Sequence, residues 1–197
     1  MKIKKILIGI GGILVWLTGG VLGWSFVEIE KLLRGPKFEL KETTSFELSQ
    51  DWEKINIEIS EKESISAYFL EGEKDITVIF VPGWGMIKEH FLVENSNSKF
   101  LERFREKGYG IVLFDPRGIG ESKGSYLFGV HMDEDIILLM EKLKKERGQK
   151  KFVLIGFSLG ANTALRTAVK KKEDVLAVIA DGAFVSVFNT KIYPKIL

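Results

Sequence analysis

Four short apolar runs recur through the last two thirds of the chain, and they restrict the fold more than any other feature. They lie at Ile76–Val81, Ile111–Phe114, Phe152–Ile155 and Val175–Ala180. Each is typical of a strand buried on both faces, as in a parallel sheet covered by helices. The intervening segments carry apolar residues at helical spacing, at Lys99–Lys107, Asp133–Lys145 and Gly160–Lys171. This alternation predicts an α/β fold with a mostly parallel sheet and flanking helices.

A different pattern precedes these runs. Apolar and polar residues alternate twice after Trp52, which predicts two half-buried strands joined at Glu61–Ser64. The alternating apolar positions are Ile55, Ile57 and Ile59, then Ile65, Ala67 and Phe69. Residues 28–51 are charged and poorly patterned, with a break at Gly35-Pro36. We therefore expect a connector over residues 28–51 and one α/β domain over residues 52–197.

The chain begins with a membrane-directed segment. Residues 6–27 contain no charged side chain, and as a helix they would span about 33 Å, enough for a hydrocarbon core of about 30 Å. Three lysines before this stretch favour a cytoplasmic N-terminus and an extracytoplasmic domain, although Lys31, Arg34 and Lys37 follow it closely. A single-pass anchor is our prediction for residues 1–27. The alternative is a cleaved signal sequence, with Ile6–Leu17 as its apolar part and a secreted product.

Composition excludes several classes of function. The chain has no cysteine, which excludes disulfide scaffolds, thiol nucleophiles, zinc–thiolate sites and iron–sulfur clusters. Its net charge is +2, but residues 1–27 contribute three lysines and no acid, which leaves −1 for the rest. A nucleic-acid partner is therefore not expected, since no basic surface with interleaved aromatics is visible. No glycine pattern of a dinucleotide site follows a predicted strand.

The sequence Gly156-Phe157-Ser158-Leu159-Gly160 is the main candidate for chemistry. It has the form G-x-S-x-G, and it lies between a predicted strand and a predicted helix rich in small residues. A sharp strand-to-helix turn of this kind needs glycines beside the serine and presents the serine hydroxyl at the carboxyl edge of the sheet. It also places Ser158 at a helix N-terminus, where developing negative charge is favoured. Ser158 is thus the predicted nucleophile.

The chain resembles the α/β-hydrolase superfamily at this motif and at two further segments. Phe80-Val81-Pro82-Gly83-Trp84-Gly85 looks like the oxyanion loop of that family, and Asp115-Pro116-Arg117-Gly118-Ile119-Gly120-Glu121-Ser122 matches its D-x-R-G-x-G-x-S turn. The resemblance implies that the backbone N–H groups of Trp84 and Leu159 form the oxyanion hole. It also implies a structural role for Asp115 and a loop-bridging role for Arg117. Within the superfamily, the chain is most similar to the serine aminopeptidase and monoacylglycerol-lipase-like branch.

The resemblance ends before a catalytic base appears. Family members order their triad as serine, then acid, then histidine, but His90 and His131 both precede Ser158. Asp181, which ends the last predicted strand, is the candidate acid. Three explanations stay open: the chain is the N-terminal part of a longer hydrolase, it is a non-catalytic relative, or its site uses His131 or His90.

The resemblance implies acyl transfer to water from an ester, thioester or amide substrate of small-molecule size. No metal or organic cofactor is required for that reaction. The alternative is a membrane-tethered scaffold or interaction protein built on the same fold. If the domain is incomplete, the strand Val175–Ala180 becomes an apolar sheet edge, and we expect residues 28–197 alone to be poorly soluble.

Overall fold

The computed structural model describes residues 16, 18–31, 51–93 and 96–184, and within them a six-stranded sheet flanked by helices. Residues 18–31 form helix α1. The other elements are β1 (Trp52–Ser60), β2 (Glu63–Leu70), β3 (Ile76–Val81), α2 (Ser96–Glu106), β4 (Gly110–Phe114), α3 (Met132–Arg147), β5 (Lys151–Phe157), α4 (Leu159–Lys170) and β6 (Val175–Asp181). Short 3₁₀ turns lie at Lys88–Phe91 and Leu127–Gly129.

The strand order is β1-β2-β4-β3-β5-β6. The first two strands form an antiparallel hairpin, and β2 pairs antiparallel with β4. The pairs β3–β4, β3–β5 and β5–β6 are all parallel. The predicted α/β fold with a mostly parallel sheet is therefore confirmed.

The register of the parallel strands gathers three loops at one edge of the sheet. Val81, the last residue of β3, lies opposite Gly156 of β5. Phe157, the last residue of β5, lies opposite Asp181 of β6. Because parallel strands end at the same edge, the loops after β3, β5 and β6 are neighbours, and this edge is where open α/β sheets bind ligands.

Apolar side chains cover both faces of the sheet. On one face, α3 and α4 pack through Ile136, Leu139 and Ala164 against strand residues such as Phe152. On the other, Leu101 of α2 and Phe91 pack against residues such as Phe80 and Leu113. Strands β3 and β4 are thus buried almost throughout, as their unbroken apolar runs predict, while Lys151, Val153 and Phe157 of β5 are half-buried.

Two predictions about strand burial were wrong. Strand β2 was expected to be half-buried, but Ile65–Leu70 is buried throughout, because β2 lies between β1 and β4 and both of its faces meet apolar clusters. Strand β6 was expected to be buried on both faces, yet Leu176 is 55% and Ile179 43% exposed. The reason is its position at the sheet edge, beyond which no described element packs.

The predicted membrane segment is only partly described. Residues 6–15 and 17 of the expected span lie outside the described residues, as do residues 32–50 of the expected connector. Within the part of the chain that the structure describes, no helix has both the length and the apolar character needed to cross a bilayer.

Candidate active site

Ser158 occupies a strained turn between β5 and α4. Its backbone has φ 53° and ψ −114°, a conformation that costs a non-glycine residue energy and persists only where the surroundings enforce it. A Cβ on Gly156 would lie 2.3 Å from the Gly160 carbonyl oxygen, and one on Gly160 would lie 2.3 Å from the Val81 carbonyl oxygen. No side chain fits at either glycine, so the backbone closes tightly around Ser158, which itself remains exposed.

The loop after β3 faces Ser158. A Cβ on Gly83 would lie 3.6 Å from Ser158 Cβ, which places this loop beside Ser158. Among the described residues, neither the Trp84 N–H nor the Leu159 N–H donates a backbone hydrogen bond. An oxyanion hole requires N–H groups that are free to donate to a developing oxyanion, and the family resemblance implies that role for these two residues.

Tyr126 lies beneath this loop. Its side chain is buried, and its hydroxyl forms no hydrogen bond of ordinary geometry with the described residues. Burial raises the pKa of Tyr126 to about 12, while the backbone N–H of Gly85, which faces the hydroxyl oxygen, has a smaller opposing effect. The hydroxyl therefore stays protonated next to the turn that carries Trp84.

A buried lysine joins the same loop to the turn after β4. Lys88 Nζ donates to Asp115 Oδ2 at 2.6 Å and to Glu121 Oε2 at 2.7 Å, and it lies 3.1 Å from Glu89 Oε1. Burial lowers the pKa of Lys88, but these three carboxylates together outweigh it and raise the pKa above its ordinary value. The ammonium thus remains charged although Lys88 is 0% exposed.

Asp115 and Glu121 are held in place by this lysine. Asp115 Oδ1 accepts the Lys88 N–H at 2.8 Å, and Asp115 Oδ2 accepts the Glu121 N–H at 3.0 Å. Burial raises the pKa of Asp115, and Lys88 opposes that shift. For Glu121 burial also raises the pKa, but hydrogen bonds from Lys54 and Lys88 outweigh it and lower the pKa to about 2. Asp115 is fully buried and bound to Lys88, which fits a structural role.

Arg117 ties the same turn to α3. Its Nε donates to Asp135 Oδ1 at 2.6 Å, its Nη2 donates to Glu134 Oε2 at 2.9 Å, and its backbone N–H donates to Asp135 Oδ2 at 3.1 Å. Nη1 also lies 3.6 Å from Glu63 at the start of β2. A planar guanidinium can serve several carboxylates at once, and here it connects a loop, a helix and a strand.

The family model described as alpha/beta hydrolase fold matches residues 76–193. The chain belongs to the α/β-hydrolase family. The match covers the oxyanion loop, the turn after β4 and the strand–turn–helix around Ser158. The finer placement in the serine aminopeptidase and monoacylglycerol-lipase-like branch stays a prediction.

Solved structures agree with this family. An esterase of Pyrococcus furiosus is 25% identical, with a TM-score of 0.63, and the match covers 77% of this chain and 57% of the esterase. A second crystal form of that esterase gives a TM-score of 0.67 at 23% identity, over 82% of this chain and 60% of the other. Alpha/beta hydrolase domain-containing protein 10 from mouse is 22% identical, with a TM-score of 0.50, and the match covers 64% of this chain and 48% of that one. The chain thus spans less than two thirds of the length of these hydrolases. No curated protein sequence matches it.

In this α/β-hydrolase, the described contacts of His90 and His131 are with residues other than Ser158. Nδ1 of His90 accepts the Ile87 N–H at 2.9 Å, and Nδ1 of His131 lies 3.2 Å from Glu134 Oε2 beside the start of α3. Within the described residues, no hydrogen bond joins either imidazole to Ser158. Asp181 does reach the elbow, but through its backbone: its carbonyl oxygen accepts the Ser158 N–H at 2.7 Å.

A cleft of about 500 Å³ lies elsewhere on the protein, and its lining includes no residue of 80–85 or 156–160. The cleft is lined by residues of α3, α4 and the segment before α3: Val130, His131, Asp133, Glu134, Arg166, Val169 and Lys170. Among the described residues, no group of three or more His, Asp or Glu side chains is arranged to hold a metal ion.

Sequence reasoning did not find Lys88 or Tyr126 as parts of this site. The partners of Lys88 are 27 and 33 residues away along the chain, and a lone lysine in a polar stretch carries no signal of burial.

Proposed function

We propose that the protein is a serine hydrolase that cleaves an ester, thioester or amide of small-molecule size, with Ser158 as the nucleophile. The observation that carries this proposal is the exposed Ser158 at positive φ, beside a loop and a helix start whose Trp84 and Leu159 N–H groups donate no backbone hydrogen bond among the described residues. Positive φ at a serine raises the free energy of the folded state. A turn that keeps this conformation, between two glycines that admit no Cβ, is typical of a serine presented as a nucleophile.

The proposed reaction has two halves. Ser158 Oγ attacks the carbonyl carbon, its proton passes to a base, and the carbonyl oxygen becomes an oxyanion that accepts hydrogen bonds from Trp84 and Leu159. Collapse of this intermediate expels the leaving group, which takes up the proton, and leaves an acyl–serine ester. Water then attacks that ester by the same route and releases the acid. Each oxyanion donor is worth about 3 kcal/mol of transition-state stabilisation.

An ester substrate is favoured over a thioester or an amide. The support is the similarity to an esterase of Pyrococcus furiosus at 25% identity over 77% of this chain. The identity of the base stays a prediction with the three explanations given above, because the described imidazoles of His90 and His131 engage other groups.

A fluorophosphonate probe tests the nucleophile, because it phosphonylates only a serine that is deprotonated as it attacks. We expect the full chain to be labelled and Ser158→Ala to lose the label. Ser125→Ala is the matched control, since Ser125 is an exposed serine in a loop, and it should label like the wild type. Labelling that persists in Ser158→Ala would overturn the assignment of Ser158.

The second candidate function is a non-catalytic scaffold on the same fold. It is favoured by one observation, the lack of a hydrogen bond from either described imidazole to Ser158. A folded sample of the full chain with no label at Ser158 would support this alternative over hydrolysis.

We further propose that residues 6–27 hold the protein in a membrane, with the N-terminus in the cytoplasm and the domain outside it. Apolar side chains of this segment support the proposal: Trp16, Leu22, Trp24 and Phe26 are each at least 70% exposed. Such a surface is unfavourable in water and suits a lipid environment. A secreted product after signal cleavage is the alternative.

A further inference from the structure

The 3₁₀ turn that follows Tyr126 has an unusual backbone. Leu127, Phe128 and Gly129 are consecutive left-handed residues, with φ of 43°, 54° and 70°. Glycine adopts this conformation freely, but leucine and phenylalanine do so rarely. Strained residues of this kind persist where the neighbouring structure fixes them, and they concentrate at binding and catalytic sites.

This turn contacts both residues to which we assign the oxyanion-hole N–H groups, Trp84 and Leu159. The ring centroids of Phe128 and Trp84 are 6.4 Å apart, within the range of an aromatic pair. Gly129 packs so closely on Leu159 that a Cβ there would lie 3.1 Å from Leu159 Cδ2. The turn therefore borders the oxyanion loop on one side and the nucleophile elbow on the other.

The surface formed in this way is apolar and open to solvent. Trp84 is 44% and Leu127 36% exposed, and Phe128 is half-buried. No charged side chain interrupts the sequence from Tyr126 to Gly129. We call Trp84, Leu127 and Phe128 the aromatic wall. Exposed large apolar side chains clustered beside a reactive group mark a binding surface for an apolar ligand.

We propose that the aromatic wall binds the hydrocarbon chain of the ester substrate and makes the enzyme selective for long alkyl chains over short ones. This inference rests on the proposed function. This alkyl chain extends from the scissile bond at Ser158 past Trp84 to Phe128, whose ring packs on that of Trp84. It lies on the acyl side or the alcohol side of the scissile bond, and both give the same apolar contact with the wall.

The test compares the rates at which octyl and ethyl fluorophosphonates label Ser158 in the full chain, held in lipid nanodiscs because alkyl detergents would compete. We expect the wild type to prefer the octyl probe by tenfold or more. Phe128→Ala should reduce that preference to threefold or less, and Phe128→Leu should restore part of it. Leu165→Ala is the control, since Leu165 is an exposed apolar residue of α4, and it should leave the preference unchanged.

Two substrates distinguish the sides of the ester. A preference for p-nitrophenyl octanoate over the acetate that depends on Phe128 places the chain on the acyl side. A preference for octyl acetate over ethyl acetate that depends on Phe128 places it on the alcohol side. Either result supports the aromatic wall. A chain-length preference that Phe128→Ala leaves intact, at a labelled Ser158, overturns it.

A binding measurement separates this inference from the proposed chemistry. If no probe labels Ser158, calorimetric titration of the Ser158→Ala chain with octanoate and with acetate still reports on the wall. Octanoate binding at least tenfold tighter than acetate binding, lost in the double variant with Phe128→Ala, supports the wall even where hydrolysis fails. Equal affinity for the two acids, or octanoate binding independent of Phe128, overturns it.

Discussion

Ser158 has a positive φ, which most residues avoid, and the close packing at Gly156 and Gly160 holds it in that conformation. Gly160 approaches the Val81 carbonyl so closely that a Cβ would lie 2.3 Å from that oxygen and 2.5 Å from the Pro82 carbonyl oxygen. Both obstacles are backbone atoms of β3 and of the loop that carries Trp84. A change at Gly160 must therefore shift the oxyanion loop, the elbow or both.

We predict that Gly160→Ala destabilises the fold by several kcal/mol, because the clash is with backbone that cannot move independently. Gly148→Ala is the control: Gly148, unlike Gly160, has positive φ, but nothing lies within 4 Å of its Cβ position, so the backbone strain alone should cost only about 1 kcal/mol. Urea unfolding of both variants measures the difference. Equal destabilisation would contradict the close packing at Gly160.

Tyr126 gives a prediction about alkaline pH. Its pKa rises from an ordinary 10.0 to about 12 in the folded state, so the unfolded chain loses this proton first as the pH rises. The contribution to stability is therefore fully present below pH 10 and is lost between pH 10 and 12, by up to about 2 to 3 kcal/mol. Tyr126→Phe should lose less stability than the wild type between pH 9 and pH 11.5 in urea titrations. Identical losses would show that the hydroxyl ionises at its ordinary pKa.

The sequence located the strand-to-helix turn around Ser158, which a motif carries, and missed the residues whose surroundings depend on distant partners. Ser158, Gly156 and Gly160 could be placed because a sharp strand-to-helix turn imposes their spacing locally. The burial of Lys88 depends on carboxylates brought together only by the fold, so no local pattern could indicate it. The left-handed Phe128 was missed for the same reason, since tertiary contacts enforce that backbone.

At the level of elements, Lys88 connects the 3₁₀ turn after the oxyanion loop to the turn after β4. The cluster holds one buried ammonium among three carboxylates. Removing one partner of a buried charge pair leaves the other uncompensated in a medium that solvates it poorly. The cluster thereby fixes the oxyanion loop against the neighbouring strand.

Lys88→Met should lower the free energy of unfolding by about 3 to 5 kcal/mol, because it leaves the buried Asp115 carboxylate unpaired. Lys54→Met removes the exposed partner of the same Glu121 and should cost less than about 1 kcal/mol. Adding Asp115→Asn to Lys88→Met should restore part of the loss, since the uncompensated charge disappears. A loss equal to that of Lys54→Met would mean that Lys88 is not a buried ion-pair partner in solution.

The periodicity of apolar residues predicted the positions of the strands well, and it predicted which strand faces are buried less well. Unbroken apolar runs located β3, β4 and β5 to within three residues, because burial on both faces leaves a plain pattern. The same reasoning failed for β2 and β6, since a strand's neighbours decide which faces are covered. The alternating pattern predicts that Ser66 and Tyr68 face solvent. Both are buried in the structure, and Tyr68 lies within the apolar cluster on the second face of the sheet.

For the whole molecule, the sheet brings the elbow, the oxyanion loop and the carboxyl end of β6 to one edge. The net positive charge of the protein lies at the N-terminal end of the sequence. Three of the lysines precede residue 6, and the remaining residues are close to neutral. Flanking lysines beside an apolar span set the orientation of a protein in a membrane. Under the membrane anchor that we propose, these lysines keep the N-terminus in the cytoplasm, and the sheet edge that carries Ser158 lies outside it.

The natural lack of cysteine makes this topology measurable with single introduced thiols. We predict that Ser125→Cys, in an exposed loop of the domain, reacts with a membrane-impermeant maleimide on intact bacterial cells. Lys2→Cys should react only after the membrane is opened, because the lysines hold the N-terminus in the cytoplasm. The reverse pattern would place the domain in the cytoplasm, with Lys31, Arg34 and Lys37 as the retained charges. Recovery of Ser125→Cys in the medium, without residues 1–27, would instead establish a cleaved signal sequence.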